Sequence, residues 1–226
     1  MSGNTGAKLY NFENIVFYLD PTNSYNELVN VSTPSITGTT KSTNSISFNG
    51  TSDWINYPIY DDIKTGEVTI DCWFKPTSAG SLAQLFSILN WDNFNFGFYT
   101  RGYSLVWNNN AFSFYYGDGF AIPCVVQTSS TISTINNWCN IIVTYSLGVT
   151  KFYVNGILQT TRTGNALYPI DWSYGASPPT TIAISKKNNA TNGYFQGHIG
   201  PIKVYNKVLT DSEINKNYTQ LSSKYS

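Results

Sequence analysis

The sequence predicts an all-β chain, an antiparallel two-sheet sandwich closed by one short C-terminal α-helix. Three observations predict it. First, Glu67–Pro76 (EVTIDCWFKP) and Trp138–Tyr145 (WCNIIVTY) alternate their side chains with a period of two and are rich in β-branched and aromatic residues, as pleated strands are. Neither has a fully polar face, which places both inside packed sheets rather than at an edge. Second, short strand patterns recur about every ten residues with turn residues between them, the layout of a sandwich or barrel. Third, the chain ends on a capping box followed by apolar residues at helical spacing.

In chain order, a flexible start (1–11) leads to a strand at Ile15–Asp20 and the turn Asp20-Pro21-Thr22-Asn23. Ser32–Asn44 is Ser/Thr-rich and reads as a polar connection. Ser45–Phe48 runs into Asn49-Gly50, a pair tolerant of positive φ that marks a tight turn, and Asp53–Tyr57 returns. The central strand stops at Pro76, which removes a ladder donor. Leu85–Leu89, Phe94–Thr100, Ser104–Trp107 and Ala111–Tyr116 form a meander, followed by a strand at Phe120–Val126. Lys151–Val154, Asn155-Gly156 and Ile157–Gln159 form a hairpin with the preferred type I′ pair. Gly164–Pro179 reads as a long structured loop, and Thr181–Ser185 and Gly200–Tyr205 as the last strands. The helix spans 210–224. Thr210 is its N-cap, Glu213 completes the box, Leu209 and Ile214 are the staple, and Ile214, Tyr218, Leu221 and Tyr225 form the apolar stripe. No internal repeat or linker divides the chain, so residues 1–226 form a single domain.

Composition restricts the partners. The 226 residues hold 17 Tyr, 13 Phe and 6 Trp, ample material for a core, but only 12% charged residues with 13 basic against 13 acidic. A balanced chain lacks the basic face that nucleic acid requires, and its zero net charge leaves little long-range steering. No window is long and apolar enough for membrane insertion, and the N-terminus lacks the pattern of a signal peptide. Cys72, Cys124 and Cys139 make no metal pattern with the single histidine, His198. Three reduced thiols are favoured, although one pair could be bridged if its strands adjoin.

Phe48–Ile55 resembles the F-[DN]-G-x-x-D-[YW]-[IV] opening of the laminin-G-like jelly rolls of the concanavalin A-like lectin/glucanase superfamily. Val68–Pro76, Trp138–Tyr145 and Lys151–Leu158 resemble the T-I-x-x-W-x-K-P, W-x-x-[IV]-[VA]-V-T-Y and K-[LF]-Y-V-N-G-x-L segments of that family. Tyr194–Asn206 with Leu209–Tyr218 resembles its closing strand and helix. The pieces stand in family order over residues 12 to 225. They imply a concanavalin A-like, antiparallel jelly-roll sandwich with the helix packed on it. Leu19–Asn23 (LDPTN), together with a helix ending N-Y-x-x-x-x-S-K-Y, is similar to copies in structural proteins of tailed phages. Departures are Cys139, where the family often has His, and Gly200-Pro201, where an Asp often follows the Ile. Some relatives bind calcium at the rim. Asp20 and Asp53 are the candidate carboxylates here, but an Asp beside a turn more often caps local backbone, and no metal or other cofactor is assigned.

The superfamily contains glucanases, which set paired carboxylates on one strand as E-x-D-x-x-E. None of Glu13, Glu27, Glu67 and Glu213 has an Asp two residues on, and Glu67 with Asp71 is wrongly spaced, so no catalytic residue is expected. His198 lies in no G-x-S-x-G context, and Gly117–Gly119 precedes no helix. Binding is left. Sugars stack on aromatic rings while amides and carboxylates fork onto their hydroxyls. Three clusters have that make-up: Trp91-Asp92-Asn93; Trp107-Asn108-Asn109 with Tyr116 and Asp118; and Trp172 with Tyr174. The competing reading makes these rings core, as large aromatics commonly are, and Trp54, Trp73 and Trp138 are assigned to packing. The expectation is a non-catalytic lectin-like module, or an assembly block without sugar binding. Its expected partners are a glycan or cell-surface polysaccharide, other virion proteins and further copies of itself, and its expected place is a virion.

Overall fold

A computed structural model describes residues 13–30, 32–89, 101–117, 125–132, 134–163, 170, 172, 179–187 and 192–225, with backbone alone at 125–127. The strands lie in two sheets and all pair antiparallel. The larger sheet has the order β13 (Ile157–Thr163), β12 (Val149–Val154), β11 (Cys139–Ser146), β6 (Val68–Pro76), β15 (Gln196–Tyr205), β4 (Ile46–Asn49) and β3 (Thr40–Lys41). Its eighth strand, β1 (Ile15–Leu19), pairs with the second half of β15. The other sheet runs β10 (Val125–Thr128), β9 (Ala111–Tyr116), β8 (Tyr103–Asn108), β7 (Ala83–Ser87), β14 (Thr181–Ile184), β5 (Trp54–Pro58) and β2 (Ser35–Thr37). The long-range order makes this a jelly-roll sandwich, as the sequence predicts.

The two stretches with the clearest alternation, β6 and β11, are direct neighbours, with Cys72 opposite Ile141 and Asp71 opposite Ile142. β15 covers β6 on its other side, so β6 is the centre of the larger sheet. Val68, Ile70, Cys72 and Phe74 point into the space between the sheets and meet Leu105, Trp107, Phe112 and Phe114 from the other layer. Phe74 packs edge-on against Phe112 at 5.2 Å between ring centroids and tilted against Trp107 at 5.6 Å. Cys72 and Cys139 are both buried free thiols whose ionisation burial pushes up, that of Cys139 to about 12. Cys124 lies outside the described residues.

Two expected boundaries move. Ser32–Asn44 is not a bare connection: it holds the edge strands β2 and β3, which are exposed throughout and so carry no hydrophobic pattern. β15 begins at Gln196, not Gly200, because an irregularity between Ile199 and Ile202 carries Gly200-Pro201 past the ladder without ending it. The expected strand Phe94–Thr100 lies outside the described residues, and of Phe120–Val126 only the start of β10 is described. Of Gly164–Pro179, only Ile170, Trp172 and Pro179 are described. The Asn155-Gly156 turn has φ of +50° and +77°, as a type I′ turn requires, and a Cβ on Gly156 would stand 3.0 Å from the ring of Tyr218.

The helix α1 (Asp211–Ser222) lies on the outer face of the larger sheet. Thr210 and Glu213 form the reciprocal capping box, and Leu209 and Ile214 bury together with Ile142, Tyr153 and Tyr205. Further along, Trp73 stacks between Tyr218 and Tyr225, at 5.7 and 4.8 Å. Lys207 and the box hold the Glu213 carboxyl down at about 2. A carboxylate with a lowered folded pKa stabilises the fold above its unfolded value near 4.5 and loses that contribution as pH falls toward 2. Replacing Thr210 with alanine should cost about 1 kcal/mol, or about 2–4 °C in melting temperature. The loss should persist below pH 4, because the Glu213 N–H to Thr210 Oγ1 bond that the substitution removes holds no titratable group, whereas the cost of Glu213→Gln should shrink there; a Glu213→Gln cost independent of pH would show that the carboxylate is not the cause.

Between helix and sheet lies a buried polar row. Tyr18, Lys203 and Asp71 stand side by side across β1, β15 and β6. The Asp71 carboxylate accepts from Asn140 Nδ2 at 2.7 Å and, from the helix, Asn217 Nδ2 at 3.2 Å. Burial raises the Asp71 pKa and lowers that of Lys203, each opposed by the charge of the other.

Candidate functional site

Both sheets run most of their strands end to end, so the connecting loops gather at two rims. At one rim, three loops enclose an open cleft. The β4–β5 turn contributes Gly50 and Thr51, the β6–β7 loop Ser78, Gly80 and Ser81, and the approach to β15 Asn192, Gly193, Tyr194 and Gln196. The cleft holds about 570 Å³, within the size range of small-ligand sites. Its lining is small and polar apart from the half-exposed ring of Tyr194, and among the described residues it includes no acidic side chain.

The loops are tied down by hydrogen bonds, two of the three through the backbone. Thr77 N–H donates to Gln196 O at 3.0 Å, Gln84 N–H to Gly193 O at 2.9 Å, and Lys187 N–H to Asn192 O at 3.0 Å. The turn at Gly50 is closed by Asn49, whose Oδ1 accepts from the N–H groups of Thr51, Ser52 and Asp53. A site assembled this way presents its hydroxyls and amides in fixed positions.

Trp107, Asn108 and Asn109 do reach this rim, but from behind. The Trp107 ring has no exposed surface; its Nε1–H donates to Ser78 O at 2.9 Å. This corrects its expected role as a sugar platform, because a ring packed against Phe74 and Phe112 has no face left for a ligand. Asn108 Oδ1 accepts from Leu82 N–H at 3.1 Å, and Asn109 N–H donates to Gly80 O at 3.3 Å. Gly80, at φ +74°, is pressed so closely on Trp107 that a Cβ there would lie 2.5 Å from Cδ1. The three residues shape the Ser78–Leu82 wall of the cleft.

The other candidates separate. Tyr116 is fully buried at the far end of β9, tilted on Tyr145 at 4.3 Å, and so is a core residue. Trp172 belongs to the opposite rim. It is half-buried, donates from Nε1 to Thr65 O at 3.0 Å, and meets Tyr103 edge-on. Trp91, Asp92, Asn93, Asp118 and Tyr174 lie outside the described residues. Of the tryptophans assigned to packing, Trp73 is buried, whereas Trp138 and Trp54 are half-exposed, Trp54 beneath Lys186 Nζ at 4.0 Å.

The calcium candidates serve backbone. Asp20 Oδ1 accepts from Thr22 N–H and its hydroxyl, and Asp53 Oδ2 accepts from Asn49 N–H at 2.9 Å. Among the described residues, no three His, Cys, Asp or Glu side chains come together as a metal site. Glu67 accepts from the Ser146 hydroxyl at 2.6 Å, joining the ends of neighbouring strands. His198 is half-buried with Nδ1 2.9 Å from Ser47 Oγ, and its pKa is lowered by burial and by Lys75.

Tyr194, Gln196 and the Ser78–Ser81 loop are what residue patterns alone do not single out. Tyr194 reads as part of a closing strand motif, and Thr77–Ser81 as an ordinary small-residue loop. The available signal is weak: an aromatic beside Asn192-Gly193 at a strand entrance.

Comparison with known proteins agrees with this architecture. The binding domain of Paraclostridial Mosquitocidal Protein 1 superposes with a TM-score of 0.71 at 19% identity, covering 92% of this chain and 52% of that one. The binding domain of botulinum neurotoxin DC, solved in complex with rat synaptotagmin II, gives 0.70 at 13% identity, with 92% and 52% covered. A botulinum neurotoxin type C structure described as dependent on two ganglioside molecules for cell entry gives 0.69 at 15% identity, with 92% and 51% covered. The chain thus spans about half the length of these structures, and the likeness is one of fold. No curated protein matches the chain. The Laminin_G_3 profile matches residues 49–215, most of the sandwich together with the start of α1, and the chain therefore belongs to that family of the concanavalin A-like lectin/glucanases superfamily.

Proposed function

We propose that the chain is a non-catalytic, lectin-like binding module that holds a glycan or cell-surface polysaccharide in the rim cleft. One observation carries this reading: three loops pinned by hydrogen bonds converge on a polar cleft with, among the described residues, a single half-exposed ring, Tyr194. A sugar stacked on that ring would find Ser78, Ser81, Asn192 and Gln196 within reach of its hydroxyls. Glycoside hydrolysis needs two carboxylates at the scissile bond, and the described lining offers none. The two ganglioside molecules on which cell entry of botulinum neurotoxin type C depends support the same reading.

The test is calorimetric titration with chitotetraose and a glycan array. Tyr194→Ala should weaken the tightest saccharide about tenfold through lost stacking. If no saccharide binds the unmodified protein at millimolar concentration, the reading fails.

We also propose that the module is carried on a virion as an adhesion or assembly subunit. Support comes from the likeness of Leu19–Asn23 and Asn217–Tyr225 to segments of tailed-phage structural proteins. An assembly contact is favoured by β13, an edge strand exposed on both faces with Ile157 66% and Leu158 45% accessible. Mass spectrometry of purified particles should detect the chain; its recovery only as a free secreted monomer would remove the proposal.

A further inference from the structure

The chain is neutral overall, but among the described residues lysines and the histidine stand beside the cleft. Outside the cleft, the outer face of the larger sheet continues from Gln196 to His198, which pairs with Lys75 on β6 and Ser47 on β4. Trp138 stands next, 6.4 Å from His198 between ring centroids, held edge-on by Tyr225 at 4.6 Å. All three of Lys75, His198 and Trp138 are half-exposed. Lys186 and Lys187 follow β14 at the same rim, with the Lys187 stem against Gly193 of the cleft. Most of the described acids lie elsewhere, two of them paired with lysines, Asp61 with Lys64 and Glu213 with Lys207. Asp61, Asp62 and Glu67 precede β6 at the opposite rim, and Asp211 and Glu213 follow the far end of β15. Among the described residues, the one carboxylate at the cleft end is Asp53, buried and bonded to the Asn49 N–H.

Resting on the glycan reading above, we propose that the site prefers an acidic glycan: one sugar sits in the cleft against Tyr194, and a carboxylate- or sulfate-bearing neighbour lies over Lys75 and His198 with Trp138 as its outer wall. The order of groups fits a chain crossing the rim. Gln196 lies between cleft and platform, and the Thr77–Gln196 backbone bond joins β6 to β15 there. Ser47 fixes the imidazole through Nδ1, leaving Nε2 as the ring nitrogen available to the ligand. A cation near the middle of a polar, aromatic-walled surface recruits an anion by short-range pairing, which salt weakens.

The experiment compares ligands that differ by the acid. Hyaluronan tetrasaccharide and chitotetraose share N-acetylglucosamine but differ in the uronate carboxylate, and dextran sulfate against dextran makes the sulfate comparison. The acidic member of at least one pair should bind about fivefold tighter or more at low ionic strength. The preference should fade as salt rises toward 1 M and vanish in the Lys75→Gln/His198→Gln double variant, with folding checked by thermal melting. Equal binding of acidic and neutral members, or a preference that survives the double variant, overturns the acidic-glycan inference while the cleft reading stands. Failure of every saccharide to bind overturns both. The salt titration uses the unmodified protein, so the inference stays testable if the double variant does not fold.

Discussion

Replacing Asp71 by alanine is expected to cost about 3–5 kcal/mol of folding stability, the range seen when one partner of a buried charged pair is removed. Asp71 is 2% exposed, accepts from Asn140 and Asn217, and faces Lys203, itself buried, across the strand pair. Its loss would leave two amide donors and an amine facing an apolar gap under α1. Asp71→Asn keeps the size and part of the hydrogen bonding, and should cost less. Replacing both partners, Asp71→Leu with Lys203→Met, should recover much of the loss, because a packed apolar pair has no charge to desolvate. Urea unfolding followed by circular dichroism measures all three. An Asp71→Ala variant within 1 kcal/mol of the parent would show that the row is not an energetic link between helix and sheet.

The second large effect is at Trp107. Truncation to alanine removes a fully buried indole between Phe74 and Phe112 and should cost about 3–5 kcal/mol. Trp107→Phe is the more informative change. It keeps most of the packing but deletes the Nε1–Ser78 hydrogen bond, at about 1 kcal/mol. Because that bond holds the cleft wall, saccharide affinity should also fall, although the indole touches no ligand. Tyr194→Ala gives the opposite pattern, with lost binding and nearly unchanged stability. If Trp107→Phe lowers stability and leaves affinity untouched, the wall does not depend on this support.

These two residues illustrate how sequence and structure divide the information. Alternation in Val68–Phe74 and Cys139–Tyr145 is a local property, written in side chains two residues apart. It therefore placed both strands inside a sheet before any neighbour was known. The capping box was legible for the same reason, since Thr210 and Glu213 are three residues apart. The place of Trp107 is not legible in this way, because exposure is not local. A ring beside Asn108-Asn109 looks the same in sequence whether it faces solvent or Phe74, and only the opposite sheet decides. Tyr116, placed with Trp107 in one cluster, is separated from it by the length of β9.

What the sequence determined by itself is the class of the fold, the two central strands, the hairpin at Asn155-Gly156 and the capped helix, all set by contacts between near neighbours. Which loops meet is settled by long-range strand pairing alone. Gly50, Ser78 and Tyr194 are joined by pairing of strands far apart in the chain, and the same pairing sets Lys75 beside His198 next to the cleft. A net charge of zero carries no trace of that pairing, because charge sums over the chain whereas a ligand meets one end of it.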